Sequence, residues 1–242
     1  MAIILLDIEG TTTPIDFVYD VLFPFARAEL RAYVRAHARE DRFVALFTEL
    51  QAESQAERAA GFDAPEGPEG APNEIADAAA SFALWQMAHE RKATGLKRLQ
   101  GWIWRQGYES GALQGVVYDD VPDAIQRWRS LGHRVAIYSS GSVEAQQLIF
   151  GYSTAGDLRP QLDGYFDTTT GPKKEAHSYV AIAEALGVPP GEIIFCSDNV
   201  DELRAAEGAG VQLRLAVRPG NPPVEDTRYR RVTQFSADEF GV

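Results

Sequence analysis

Residues 2–6, Ala2-Ile3-Ile4-Leu5-Leu6, form an unbroken apolar run that ends abruptly in Asp7-Ile8-Glu9-Gly10-Thr11-Thr12. A short run that is apolar at every position and closes on a glycine turn reads as a strand covered on both faces. Such a strand requires neighbours in a parallel sheet and helices above and below it. Asp7 and Glu9 then stand at its carboxyl end, where open α/β sheets bind their ligands. Apolar neighbours offer a carboxylate nothing, so its partners must be a cation, a basic side chain or backbone N–H groups.

The rest of the chain supplies that sheet only after a long interruption. Residues 17–105 contain no convincing strand. Residues 21–38 repeat apolar positions at three- and four-residue steps, and 43–58 do the same. Residues 61–72 are rich in Gly, Pro and acids and read as a loop. Asn73 can cap a third helix, and a fourth is predicted through Leu96 and Trp104. From about residue 116 strand and helix alternate. Helices are predicted over 121–131, 143–150, 175–186 and 202–209, and strands over 135–138, 165–167, 193–196 and 212–217. Alternation of this kind implies right-handed crossovers and a parallel sheet. The expected organisation is an α/β core of residues 1–16 and 116–242, interrupted by a helical insertion over 17–115.

Composition narrows the possible functions. A net charge of −12 over 242 residues disfavours a nucleic-acid or anionic-membrane surface, although one local basic site suffices for a small phosphorylated ligand. Cys196 is the single cysteine, so no intrachain disulfide is possible, and its apolar strand makes it an inert buried thiol rather than a nucleophile. No apolar run approaches the ~20 residues of a membrane span, and the first residues lack the flanks of a signal peptide. A cytoplasmic monomer is expected.

Three further sites fall at strand ends or in the loops that follow. Tyr138-Ser139-Ser140-Gly141-Ser142 places hydroxyls ahead of a helix start, an arrangement suited to anions and also to simple capping. Gly171-Pro172-Lys173-Lys174 can present a lysine to a phosphate, or only to solvent. Ile194-Phe195-Cys196-Ser197-Asp198-Asn199-Val200-Asp201 is a second apolar strand delivering carboxylates, although Asp198 can also be read as a helix cap. Three converging carboxylates repel one another unless a cation joins them, and oxygen ligands favour Mg²⁺. Taken together, these residues suit phosphoryl transfer through an aspartyl-phosphate, with Lys and Mg²⁺ offsetting charge.

This constellation resembles the haloacid-dehalogenase-like (HAD) superfamily of phosphohydrolases, a Rossmann-like parallel core with an inserted all-helical cap. Longer stretches are similar to the enolase-phosphatase family of methionine salvage, the acireductone synthases. They are Phe17-Val18, Val21-Leu22-Phe23-Pro24, Leu96-Lys97-Arg98-Leu99-Gln100-Gly101, Tyr138 through Gln146, and Phe150-Gly151-Tyr152-Ser153. The resemblance implies enolisation of 5-methylthio-2,3-dioxopentyl phosphate followed by hydrolysis to the acireductone. It implies Asp7 as nucleophile and metal ligand, Glu9 as acid–base and metal-site residue, Ser139 and Ser140 as phosphate holders, and Lys173 rather than Lys174 as the catalytic lysine. Asp198 would complete a site for one Mg²⁺ per subunit, with Asn199 and Asp201 as outer candidates.

Glu9 stands where most such phosphatases carry Asp, which adds ~1.5 Å of reach. A longer carboxylate can serve both a carbon-bound proton and a leaving oxygen. The helical insertion is expected to act as a lid that excludes water, with Trp85, Trp102 and Trp104 either facing the methylthio end or forming its core. The four histidines, His37, His89, His133 and His177, show no paired metal-ligand spacing. The rival readings are a dehalogenase, a generalist sugar-phosphate phosphatase, and an idle phosphate-binding scaffold. Glu9 with Asp198 argues against the first, Glu9 against the second, and the complete set of reactive residues against the third.

Overall fold

The computed structural model describes residues 1–225 and 228–241; for residue 72 only the backbone is described. Two compact units emerge, residues 1–19 with 113–242, and residues 20–112.

The first unit is built on six parallel strands, β1 (Ile3–Leu6), β2 (Arg134–Tyr138), β3 (Gly164–Phe166), β4 (Ile193–Ser197), β5 (Gln212–Ala216) and β6 (Arg231–Val232), in the order β3-β2-β1-β4-β5-β6. All four residues of β1 are buried, as its uniform apolarity requires. The order reverses between β1 and β4. That reversal opens a crevice at the carboxyl ends of these two strands, because the connections leave them in opposite directions. Leu6 pairs with Cys196 and Ile137, and the Asp7 N–H continues the ladder to the Cys196 carbonyl at 3.0 Å. Register therefore sets Asp7 beside Ser197.

One face of the sheet, through Ile3, Leu5, Ala136, Tyr138, Ile193 and Phe195, packs on Tyr179, Ile182, Leu203 and Ala206 from two further helices, Ala176–Leu186 and Val200–Gly208. Elsewhere in the unit, buried Trp128 from the helix Asp120–Ser130 meets Phe235 and Phe240 at ring separations of 5.5 and 4.6 Å. The short β6 and the terminal helix Ala237–Phe240 are absent from the sequence-based expectation. Two strand residues and one helical turn carry too little periodicity to read, and their neighbours in space hold them in place.

The second unit contains α1 (Phe23–His37), α2 (Asp41–Ala59), α3 (Pro72–Ala88) and α4 (Thr94–Glu109). Phe17–Leu22, ahead of α1, is a π-helical turn where the spacing predicted the start of an ordinary helix. Leu30, Val34, Phe43, Leu46, Leu50, Phe82, Leu99 and Ile103 form the core, and Ala76, Ala79, Ala80 and Ala83 keep the apolar face of α3 slim enough for close packing. Trp85, Trp102 and Trp104 are partly buried against this core. Trp104 Nε1 donates to the Leu22 carbonyl at 2.9 Å, and the Arg42 guanidinium lies over Trp102 at 4.8 Å. No helix among the described residues is long and apolar enough to cross a membrane.

In chain order the helices of the first unit are α5 (Asp120–Ser130), α6 (Val143–Gly151), α7 (Ala176–Leu186), α8 (Val200–Gly208) and α9 (Ala237–Phe240).

Candidate active site

Asp7 leaves β1 with its side chain almost wholly buried, and three donors hold it. Oδ1 accepts from the Ile8 N–H at 2.8 Å and from Lys173 Nζ at 2.7 Å; Oδ2 accepts from Ser197 Oγ at 3.0 Å. The turn that follows folds back on itself. The N–H groups of Thr11, Thr12 and Thr13 all donate to the Ile8 carbonyl, and the Gly10 N–H donates to the Thr13 carbonyl. Gly10 takes a left-handed φ of +66°, and a Cβ there would stand 2.3 Å from Asp198 Oδ2. Only glycine lets the turn approach the second strand end so closely.

Lys173 is the buried partner that the opening strand required. Its Nζ lies 2.7 Å from both Asp7 and Glu202, while Lys174 points outward to Asp201 at 3.0 Å. The lysine backbone is fixed as well: Tyr179 Oη donates to the Lys173 carbonyl at 2.7 Å, and Tyr138 Oη to that of Gly171 at 2.9 Å. Burial alone would lower the lysine pKa, but the two carboxylates outweigh it and hold the ammonium above its ordinary value.

Glu202 is the functional-site residue that sequence reasoning passed over. It lies on the first turn of α8, four positions after Asp198, so the helix brings it back toward the strand end. Its Oε2 lies 2.9 Å from Ser197 Oγ and competes with Asp7 for that hydroxyl's single hydrogen. Burial, then the charge of Asp7, push it up to about 7 against the pull of Lys173. Asn199 caps α8 by accepting from the Asp201 N–H, and Asp201 is an exposed partner of Lys174 and Arg204. Asp201 faces solvent, whereas Asn199 is half-buried and its N–H donates to Ser197 Oγ at 3.1 Å.

Asp198 sits beside this cluster. Its carboxylate accepts no hydrogen bond among the described residues, and burial, then Asp7, Glu202 and Glu9, raise its pKa to about 7 despite Lys173. The cluster thus holds one ammonium against more than one carboxylate, an imbalance that a further cation would correct. Among the described residues no three Asp, Glu, His or Cys side chains converge on one ion, so Asp7, Glu9 and Asp198 do not form a three-carboxylate cage. Mg²⁺ does not need one. It is ordinarily held by one or two carboxylates, waters and substrate oxygens. Asp7 and Asp198 fit that donor set, and Glu9 is half-buried next to them.

Ser139 directly follows β2 with its hydroxyl buried and accepting from the Gly141 N–H at 3.2 Å, whereas Ser140 is exposed and Ser142 caps α6. Behind them Asp167 accepts from the N–H groups of Val143 and Thr169, and Gln146 Nε2 donates to the carbonyls of Gly141 and Phe166. These contacts fix the loop before α6, whose N-terminus faces the same edge of the sheet. The arrangement suits a phosphate at one end and a divalent cation at the other, with the Asp7 carboxylate between. Cys196 is fully buried, and burial pushes its thiol well above the ordinary range.

Residues 1–210 match the haloacid dehalogenase-like hydrolase family. The chain belongs to that family. The hydrolase is 52% identical to Enolase-phosphatase E1 of Synechococcus elongatus over 96% of this chain and 95% of that one. It is 46% identical to the protein of the same name from Xenopus tropicalis, covering 93% and 88% of the two chains. Among solved structures it is similar to the UTR4 protein of Saccharomyces cerevisiae, with a TM-score of 0.76, 36% identity, and 96% and 97% of the chains covered.

Proposed function

We propose that this hydrolase is a Mg²⁺-dependent enolase-phosphatase that converts 5-methylthio-2,3-dioxopentyl phosphate, through its enol, to the acireductone of methionine salvage. The observation that carries the reading is Asp7, a buried carboxylate at the sheet's topological switch point, held by Lys173 and Ser197, in a chain half-identical to enolase-phosphatases along its length.

Asp7 is the nucleophile. Its carboxylate oxygen bonds to phosphorus as the bond to the substrate oxygen breaks, and Glu9 gives that oxygen a proton. Glu9 then takes a proton from water as the water attacks phosphorus, which frees Asp7 and inorganic phosphate. Ser139, Ser140 and the N–H groups before α6 hold the phosphoryl oxygens. Lys173 offsets the charge that develops on them, and Glu202 keeps Lys173 oriented. Asp7 and Asp198 would hold the cation, and Glu9 would contribute to its site. Bound there, Mg²⁺ would supply positive charge to the phosphoryl group and the diketone oxygens. In the first half-reaction Glu9 moves the proton from the carbon next to the carbonyl to the carbonyl oxygen, which gives the enol, and it takes from solvent the proton that it later gives to the leaving oxygen.

Asp7→Asn keeps the shape of the site and removes the nucleophile. Phosphate release in Mg²⁺ is expected to fall by at least about a thousandfold. Release at the wild-type rate would overturn the reading.

A further inference from the structure

The loop after β5, Arg218-Pro219-Gly220-Asn221, grips the turn that follows Asp7. Arg218 is buried; its Nε donates to the Thr11 carbonyl at 3.0 Å, and its other nitrogens bind Asp120 at 2.8 Å. Tyr118 joins the loop to the turn from the other side, its N–H on the Thr12 carbonyl and its hydroxyl on that of Pro219. Asn221 completes the grip: Nδ2 donates to the Gly10 carbonyl at 2.8 Å.

That bond fixes the amide orientation, because a carbonyl oxygen only accepts. Oδ1 must lie on the other side of the group. There it is buried and has no hydrogen-bond partner among the described residues. The Gly10 N–H is not available to it, being bonded to the Thr13 carbonyl. A Cβ built on Gly10 would meet Asp198 Oδ2 at 2.3 Å and Asn221 Oδ1 at 3.0 Å. The carboxylate and the orphaned amide oxygen therefore flank Gly10 on one side. Two acceptors share that side with no donor among the described residues, and a buried acceptor left unpaired costs about 1–3 kcal/mol. A hydrated divalent cation supplies what both lack, positive charge for the carboxylate and O–H donors for the amide.

We infer that Asn221 is a further residue of the cation site: its Oδ1 accepts a hydrogen bond from the water shell of the divalent ion that Asp7 and Asp198 would hold. The inference rests on the proposed cation dependence and adds a residue from a loop that no reading of the sequence singled out. Asn221 acts through water and is a positioning residue.

The test is Mg²⁺ titration calorimetry on the full chain, which reads binding without turnover. Asn221→Ala is expected to raise the Mg²⁺ Kd about tenfold, as loss of an outer-shell partner does. Asn221→Asp keeps an acceptor and is expected to bind at least as tightly as wild type. A role confined to holding the turn predicts the reverse for the second variant, since a carboxylate would repel the Gly10 carbonyl. Wild-type affinity in Asn221→Ala, or a loss in Asn221→Asp equal to or greater than that in Asn221→Ala, overturns the inference. If the wild type itself binds no Mg²⁺, the cation reading falls and takes this inference with it. Should the variants not fold, the wild type still decides. The side-chain ¹⁵N–H₂ resonances of Asn221 are expected to shift at saturating Mg²⁺, and resonances that stay in place overturn the assignment.

Discussion

Asp198 and Glu9 differ in what the structure asks of them. Asp198, raised to about 7 by burial and by Asp7, is partly protonated near neutrality in the cation-free protein. Binding a cation must expel that proton, so Mg²⁺ affinity weakens as pH falls through about 7 and levels off above it. The same elevation means that ionised Asp198 costs the cation-free fold stability as pH rises from its ordinary value toward 7. Calorimetry between about pH 5.5 and 8 checks the first statement; a Kd independent of pH in that range contradicts it. Glu9 carries the claim of two-step chemistry. Glu9→Asp shortens the side chain by ~1.5 Å. It is expected to leave Mg²⁺ binding and phosphate release from the preformed enol within a few-fold of wild type, and to slow enolisation about tenfold or more. Separate assays of the two half-reactions distinguish this from an effect on neither.

The residues legible from the sequence share one property: each stands at the end of an apolar strand or just past a glycine turn. Asp7, Ser139, Lys173 and Asp198 could be found because strand ends announce themselves by a change of polarity. Glu202 could not, since an acid on the first turn of a helix ordinarily serves the helix dipole. Only the four-residue step from Asp198 hinted at its position. Asp201 faces solvent on the first turn of α8, whereas Asn199 caps that helix and bonds Ser197 through its N–H. Asn221 lies in a Pro-Gly loop, where asparagine is usual for turn geometry alone.

At the level of elements, the turn between β1 and the helical unit decides whether the strand end becomes a site. Gly10 is left-handed and packed against Asp198. Gly10→Ala therefore meets two penalties: about 1–3 kcal/mol of backbone strain, and displacement of the Asp198 carboxylate. Lower thermal stability together with a weakened Mg²⁺ Kd is expected. Gly132→Ala provides the control. Gly132 has a φ of +84° with nothing within 4 Å of a built Cβ, so only the strain remains and Mg²⁺ affinity is expected to hold. Equal Mg²⁺ affinity in both variants would contradict the role given to the turn. Element boundaries follow the same logic. The buried strands β1 and β4 could be located from composition, because β1 is apolar throughout and β4 is apolar up to Ser197 at its end. The π-helical turn Phe17–Leu22 could not, since its apolar spacing differs too little from that of an α-helix.

For the whole molecule, a net charge of −12 coexists with a site that must accept an anionic substrate. The net charge opposes the approach of such a substrate, so the local positive charge is expected to come from Lys173 and the proposed cation. This is why the reaction is expected to depend on Mg²⁺ throughout rather than to be merely enhanced by it. The sheet order joins residues from opposite ends of the chain, Asp7 with Ser197 and Gly10 with Asn221, into one edge that no short stretch of sequence contains. The most direct measurement supplies 5-methylthio-2,3-dioxopentyl phosphate with Mg²⁺ and follows ultraviolet absorbance and inorganic phosphate together. The expected result is an enol absorbance that rises before phosphate appears, followed by the acireductone; phosphate released with no enol and no acireductone would contradict it.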